Sequence, residues 1–292
     1  MQSNVKKSVS LSDYTTINIG GNARFFIEVF SIEQMRDVLS YVIKNKIKYF
    51  VLGNGSNVVF DNEGFDGIVI KNSIDFISMQ DEIIKVGSGF NLSALSYEVS
   101  RLDFSGLEFA FGIPATVGGA VYMNAGAFSQ SILDVIEEVV FLTEDLNFQT
   151  LKKIDLNFDY RKSSFQKMKG VIVSVTLKLI KKAGVLERAK KFLEKRRQSQ
   201  PLNSKNCGSF FRNPINMSAG KIIHDLGLKG FSIGDAKISE IHANFIINEN
   251  NATSSDIKKL INHIKKEARE KNSLDLELEV NCIDKNGNIN EF

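Results

Sequence analysis

Tryptophan is absent from the 292-residue chain, and proline occurs only three times, cysteine twice and histidine three times. Two cysteines, Cys207 and Cys282, give no disulfide framework and no CxxC pair, which fits a reducing compartment. His224, His242 and His263 are scattered, which argues against a zinc centre. No apolar run approaches the roughly 20 residues that span a bilayer. The polar start Met1-Gln2-Ser3-Asn4-Val5-Lys6-Lys7 lacks a hydrophobic signal core, so a cytoplasmic address without membrane insertion is expected. Charge imbalance is missing too. The net charge is +3, basic runs such as Lys195-Arg196-Arg197 are short, and none is interleaved with aromatics as a nucleic-acid stacking platform would be. An anionic small molecule suits such a chain better than a nucleic acid.

What is present describes a globular protein: 43% hydrophobic and 24% charged residues, over a length that suggests two or three domains around one cleft. Apolar spacing predicts a helix over 32–45 with Ser31 as N-cap, and another over 91–102. A strand at Lys48–Leu52 runs into Gly53-Asn54-Gly55-Ser56-Asn57. Further strands are expected at 67–71, 74–79, 83–86, 135–142 and 170–180. A basic stretch, Lys181 to Gly184, marks a domain boundary. Beyond it helices are expected at 185–198, 219–226 and, after start signals at Thr253 and Asp256, 257–271. Strands are expected at 237–238, 244–247 and 276–283.

Two stretches are unusual. Gly53–Asn57 is neither a Rossmann fingerprint, because it lacks G-x-G-x-x-G, nor a P-loop, because no GK[ST] follows. It reads either as a nest of backbone N–H groups for phosphate oxygens or as a decorated β-turn. Gly112 to Ala127 contains four glycines and four alanines in sixteen residues, with no charge. It reads as a close-approach cradle for a ligand or as a tight buried turn, since a core helix would avoid so much glycine.

With these stretches in order, the chain resembles the UDP-N-acetylenolpyruvoylglucosamine reductase family, flavoenzymes of peptidoglycan precursor synthesis. The matching segments are TTINIGGNA (15–23), GNGSNVVF (53–60), GIPATVGGAVYMNAGA (112–127), YRKSSF (160–165), CGSFFRNP (207–214), SEIHANFIIN (239–248) and LELEV (276–280). Only 48 positions separate Arg161 from Ser209, as in the shorter class of the family. Ala115, Asn18 and Asp235 depart from the usual pattern, each replacing a residue of another type.

The resemblance implies an α+β fold. A two-subdomain FAD-binding module of the vanillyl-alcohol-oxidase (PCMH-type) kind would occupy 1–183, with subdomains near 1–71 and 72–183. A C-terminal α/β substrate-binding domain would occupy 184–292. It implies a monomer that uses non-covalent FAD and NADPH to reduce the enolpyruvyl ether of a UDP-sugar, with no metal. Arg161 would hold the developing enediolate; otherwise it would read as a surface ion pair. Ser209 would protonate C2, where an isolated Gly-Ser would suggest a turn serine. Glu279 would donate a hydrogen bond to the enediolate or polarise Ser209 through water, with Glu277 supporting. Gly53, Asn54, Gly55, Ser56 and Asn57 would serve the FAD diphosphate, Gly118 and Gly119 the approach to the flavin, with Thr116 and Asn124 beside them. Arg212, Asn213 and Lys221 would meet the substrate diphosphate, with Lys205 a weaker candidate. Cys207 reads as packing and His242 as orienting or core. The rival reading is a flavin oxidase on the same cofactor fold, acting on an alcohol or sugar.

Overall fold

The computed structural model describes residues 5–289, so Met1–Asn4 of the polar start lie outside it. Contacts group the described chain into two units. One comprises Ile27–Asn54 and Ile70–Arg196, the other Val5–Phe26, Gly55–Val69 and the chain from Arg197 onward. The chain passes from one to the other within the Gly53–Asn57 turn.

The first unit is built on a five-stranded antiparallel sheet. Its strands run in the order Phe148–Lys152, Ile136–Thr143, Gly170–Lys178, Ile83–Gly87, Ile77–Gln80. The central strand, Gly170-Val-Ile-Val-Ser-Val-Thr-Leu-Lys178, is buried along nearly its whole length, as its β-branched run requires. The expected strand over 74–79 begins only at Ile77. The buried Asn72 explains the delay: its Oδ1 accepts from the Ile74 N–H at 3.2 Å and its Nδ2 donates to Ser88 Oγ at 2.8 Å. A side chain thus replaces the ladder there.

Helix α1 (Ile32–Lys44) starts where Ser31 Oγ accepts from the Gln34 N–H at 3.1 Å, and buries Met35, Val38, Leu39 and Val42. In α2 (Leu92–Arg101), Asn91 does the same for Ala94, and Leu92, Leu95 and Val99 face inward. A third helix, α3 (Val117–Met123), lies inside the small-residue stretch, where the sequence pointed to a cradle or turn. Tertiary burial overrides its poor helix propensity: Val117, Ala120 and Val121 are fully buried in a core that also holds Phe109, Leu95 and Val175. Asn124 ends it in the left-handed conformation, a role asparagine tolerates. Helix α4 (Val185–Ser199) follows, with Val185, Ala189 and Arg196 buried.

The second unit holds a four-stranded sheet in the order Lys205–Ser209, Phe245–Asn248, Ala236–Ile238, Ser232–Ile233. Helices α5 (Ala219–Asp225) and α6 (Ser254–Asn272) contribute its core with Phe210, Phe211, Ile17, Ile19 and Val280. The start signals of α6 close a reciprocal capping box between Thr253 and Asp256. Lys6–Ser10 pairs antiparallel with the first half of Asn22–Val29. Asn281–Ile283 pairs parallel with Val58–Phe60. The expected long strand over 276–283 is therefore broken. Leu278 makes only an isolated bridge to Phe211, and regular pairing begins at Asn281.

Candidate functional site

The Gly53–Asn57 turn is held by its carbonyl oxygens. Lys71 Nζ donates to the Gly53 carbonyl at 2.7 Å and to Asn54 Oδ1 at 3.3 Å. The Thr16 N–H donates to the Gly55 carbonyl at 3.1 Å, and the Asn281 N–H to that of Asn57 at 3.0 Å. Gly55 has φ +63°, and a Cβ there would meet the Tyr14 carbonyl oxygen, so only glycine fits. The turn's N–H groups, from Gly53 to Asn57, donate to no acceptor among the described residues. Half-buried backbone donors left without partners are costly unless a ligand takes them. Neither Thr16 nor Lys71 was singled out from sequence. The Thr15–Ala23 motif was visible without a role, and Lys71 hides at the end of a buried strand.

Within the first unit, the small-residue stretch and the Tyr160–Phe165 motif clasp each other. Ser163 Oγ donates to the Tyr122 carbonyl at 2.7 Å, and Gln166 Nε2 donates to the same oxygen at 3.0 Å and to the Arg161 carbonyl at 3.1 Å. Two orphan needs are met at once, the last turn of α3 and the Arg161 backbone. Asn124 Nδ2 donates to the Asp159 carbonyl at 2.9 Å, while its buried Oδ1 has no partner among the described residues. Arg161 sits in the two-residue loop between Phe158–Asp159 and Lys162–Ser163, with φ +57°. An arginine held in the left-handed region is strained, a feature that clusters at functional positions. Its Nη2 donates to the Gly126 carbonyl at 2.8 Å, and its guanidinium lies 4.9 Å from the Tyr160 ring centroid. Arg196 is buried nearby, where desolvation and then the like charge of Arg161 lower its pKa.

Thr116, expected near the cofactor, is the N-cap of α3: its Oγ1 accepts from Gly119 at 3.2 Å. A Cβ on Gly53 would lie 2.7 Å from that same Oγ1, so the turn packs on the start of α3 through a missing side chain. The two glycines expected to admit the flavin differ. A Cβ on Gly118 would meet Ser88 Cβ at 2.9 Å, so that glycine serves internal packing. One on Gly119 would meet only Thr116 Oγ1 at 3.2 Å, which leaves open space beyond it.

In the second unit, Ser209 and Glu279 lie on facing backbone segments. Phe210 accepts from the Glu279 N–H at 2.8 Å, the Arg212 N–H donates to the Glu277 carbonyl at 2.9 Å, and Phe211 bridges Leu278. Gly208, at φ +83°, makes the bulge that precedes Ser209. The half-buried Ser209 hydroxyl has no hydrogen bond among the described residues. Asn57 Nδ2 donates to the Glu279 carbonyl at 3.1 Å, tying the end of the turn to the acid's segment.

The proposed diphosphate ligands are dispersed in their engagements. Arg212 lies 3.5 Å from the exposed Glu277 carboxylate, and its buried Nε has no partner among the described residues. Asn213 Oδ1 is spent on the Ala219 N–H at 3.0 Å. Lys221 pairs with Asp225 at 2.8 Å on the exposed face of α5. Lys205 reaches the Asn250 carbonyl at 3.4 Å. Cys207 is fully buried, which pushes its thiol well up and leaves it a packing residue. His242 accepts from the Asn244 N–H at 3.2 Å through Nδ1, and burial, then Lys229, lower its pKa. Of the departures, Asn18 occupies a left-handed position that asparagine tolerates, and Asp235 accepts from the Asn251 N–H at 3.0 Å.

These residues fit FAD: open backbone donors for a diphosphate, an open glycine position, and a buried amide oxygen awaiting a donor. The fold is that of an FAD-binding flavoprotein with a small α/β domain appended. A model described as "FAD binding domain" matches residues 23–150, and one described as "UDP-N-acetylenolpyruvoylglucosamine reductase, C-terminal domain" matches 200–283. UDP-N-acetylenolpyruvoylglucosamine reductase of Chlamydia felis is 42% identical over 282 residues, covering 96% of this chain and 94% of that protein. The Bacillus subtilis reductase is 38% identical over 278 residues, covering 94% and 92%. The crystal structure of the Thermus caldophilus enzyme superposes with TM-score 0.82 at 36% identity, covering 95% of this chain and 98% of that one. The chain belongs to the UDP-N-acetylenolpyruvoylglucosamine reductase family and is an FAD-dependent oxidoreductase.

Proposed function

We propose that this chain reduces the enolpyruvyl ether of UDP-N-acetylglucosamine enolpyruvate to UDP-N-acetylmuramate, with NADPH as reductant. The observation that carries this reading is the backbone clamp holding Ser209, Glu279 and the end of the donor turn in one unit. The oxidase alternative has no use for such a serine and acid.

When bound, the flavin relays a hydride from NADPH to the enolpyruvyl double bond; the rest falls to the chain. The Gly53–Asn57 amides bind the cofactor diphosphate, and Gly119 admits its ring system. Arg161, fixed by the Gly126 carbonyl, forks onto the substrate carboxylate and balances the negative charge that grows there. Ser209 passes its hydroxyl proton to C2, a step that a weak acid manages only toward a strongly basic carbanion. Glu279 hydrogen-bonds the enediolate or polarises Ser209 through water, as a carboxyl group does in enolate chemistry. Arg212 turns its unspent Nε–H to the substrate diphosphate, with Asn213 and Lys221 at the margin. Cofactor handling by 1–183 and substrate handling by 184–292, a monomeric state and a cytoplasmic address complete the proposal. No helix of the described residues is long and apolar enough to cross a membrane.

The test is spectroscopic. Purified protein is expected to be yellow, to bleach on addition of NADPH under nitrogen, and to recover colour on addition of the enolpyruvyl sugar nucleotide. Recovery by air at an equal rate, with no effect of the sugar nucleotide, would select the oxidase.

A further inference from the structure

We propose that Lys71 is a positioning residue for the flavin diphosphate: by pinning the Gly53 carbonyl, it holds the Asn54 N–H turned to the ligand. In a trans peptide the carbonyl of one residue and the N–H of the next lie in one plane and point in opposite directions across the C–N bond. With the Gly53 oxygen drawn to Lys71 at 2.7 Å, the Asn54 N–H is directed away from the lysine, and no acceptor among the described residues takes it. The second contact, to Asn54 Oδ1 at 3.3 Å, fixes the same residue from its side chain.

Lys71 closes the strand Phe65–Asn72, in which Ile68, Val69 and Ile70 are buried. An apolar residue at that place would continue the core. No carboxylate is within ion-pairing distance of Nζ among the described residues. Glu28 acts on it only from a distance, and the Glu28 carboxylate accepts from the Ser73 hydroxyl at 2.6 Å. Two protons of the ammonium are placed on neutral oxygens and the third is unassigned. A half-buried ammonium without a counter-carboxylate among the described residues is costly to keep, and a bound diphosphate would supply negative charge. Desolvation lowers the Lys71 pKa, and Glu28 partly offsets that.

The inference rests on FAD binding at this turn, and its test separates the two. Flavin-free protein is titrated with FAD, following quenching of flavin fluorescence, for the wild type, Lys71→Met and Lys71→Arg. The melting temperature of each flavin-free form is measured alongside. Expected is a dissociation constant raised about 10- to 100-fold in Lys71→Met, the loss of charge-assisted hydrogen bonds. Flavin-free Lys71→Met should melt near the wild-type temperature, because removal of a half-buried charge offsets the two lost hydrogen bonds, and Lys71→Arg should recover most of the affinity. Equal FAD affinity in Lys71→Met overturns the proposal. So does a loss of affinity that tracks a lowered melting temperature of the flavin-free form, which would make Lys71 an ordinary structural residue. Failure of the wild type to bind FAD would instead overturn the cofactor reading itself.

Discussion

Asn57 Nδ2 donates to the main-chain carbonyl of Glu279 at 3.1 Å, across 222 positions of sequence. The Asn57 carbonyl in turn accepts from the Asn281 N–H at 3.0 Å. One asparagine thereby links the donor turn to the segment carrying the proposed acid, using both its side chain and its backbone.

Replacing it should loosen that segment. Asn57→Ala removes the side-chain donor to the Glu279 carbonyl and is expected to cost about 0.5–1.5 kcal/mol. Turnover should fall with it, because one of the hydrogen bonds that position the Glu279 segment is lost. Urea unfolding and steady-state kinetics, compared with Asn57→Asp, check this; a variant with wild-type values in both would dissociate Asn57 from the site.

The two glycines at the start of α3 should separate cleanly. Gly118→Ala drives a Cβ to 2.9 Å from Ser88 Cβ and 3.0 Å from the Ser88 carbonyl, so it should destabilise the protein by about 1–3 kcal/mol. Gly119→Ala meets little in the chain and gains helix propensity of up to about 1 kcal/mol. It should fold well yet bind FAD less tightly. Melting curves and FAD titrations give the two readouts, and unchanged FAD affinity in Gly119→Ala would remove that position from the cofactor site.

Ser209→Ala should leave bleaching of the flavin by NADPH intact and slow reoxidation by the enolpyruvyl substrate at least about 100-fold. Stopped-flow measurement of the two half-reactions decides. Equal loss in both would make Ser209 structural.

Glu108 predicts acid sensitivity in the first unit. Burial alone would raise its pKa, but the Gly106 N–H at 2.7 Å, the Ser105 hydroxyl at 2.8 Å and Arg188 outweigh that and lower it. The folded value lies below the ordinary 4.5, so the carboxylate stabilises the fold above that pH and the contribution is lost as pH falls through the lowered value. Glu108→Gln should therefore destabilise at pH 7 by about 1–3 kcal/mol and show a smaller further loss on acidification. Thermal unfolding from pH 7 to pH 3 of both forms checks the sign.

The helices that could be read in advance are those whose signals are local. Ser31 and Asn91 sit immediately before amphipathic runs, and Thr253 with Asp256 forms a box within one turn. α3 could not be read this way. Its glycines speak against a helix, and only the surrounding core and the side chains of Ser163 and Gln166 reverse that. Likewise 276–283 alternates like a strand, but its first half is taken by the backbone of Phe210 and Arg212 and not by a regular neighbour.

The order of motifs, and with it the family, the cofactor and the types of chemistry available, resides in the amino-acid sequence, because those depend on which functional groups are present and at what spacing. Which donors stay unspent was decided by the tertiary structure. Lys71 and Thr16 draw the carbonyls of the turn inward, Gly118 is consumed by packing while Gly119 is left open, and Arg161 is forced into a left-handed loop. The physical reason is range: a cap or an alternation acts over a few residues, whereas a hydrogen bond that reserves an amide for a ligand is made by a partner tens to hundreds of positions away.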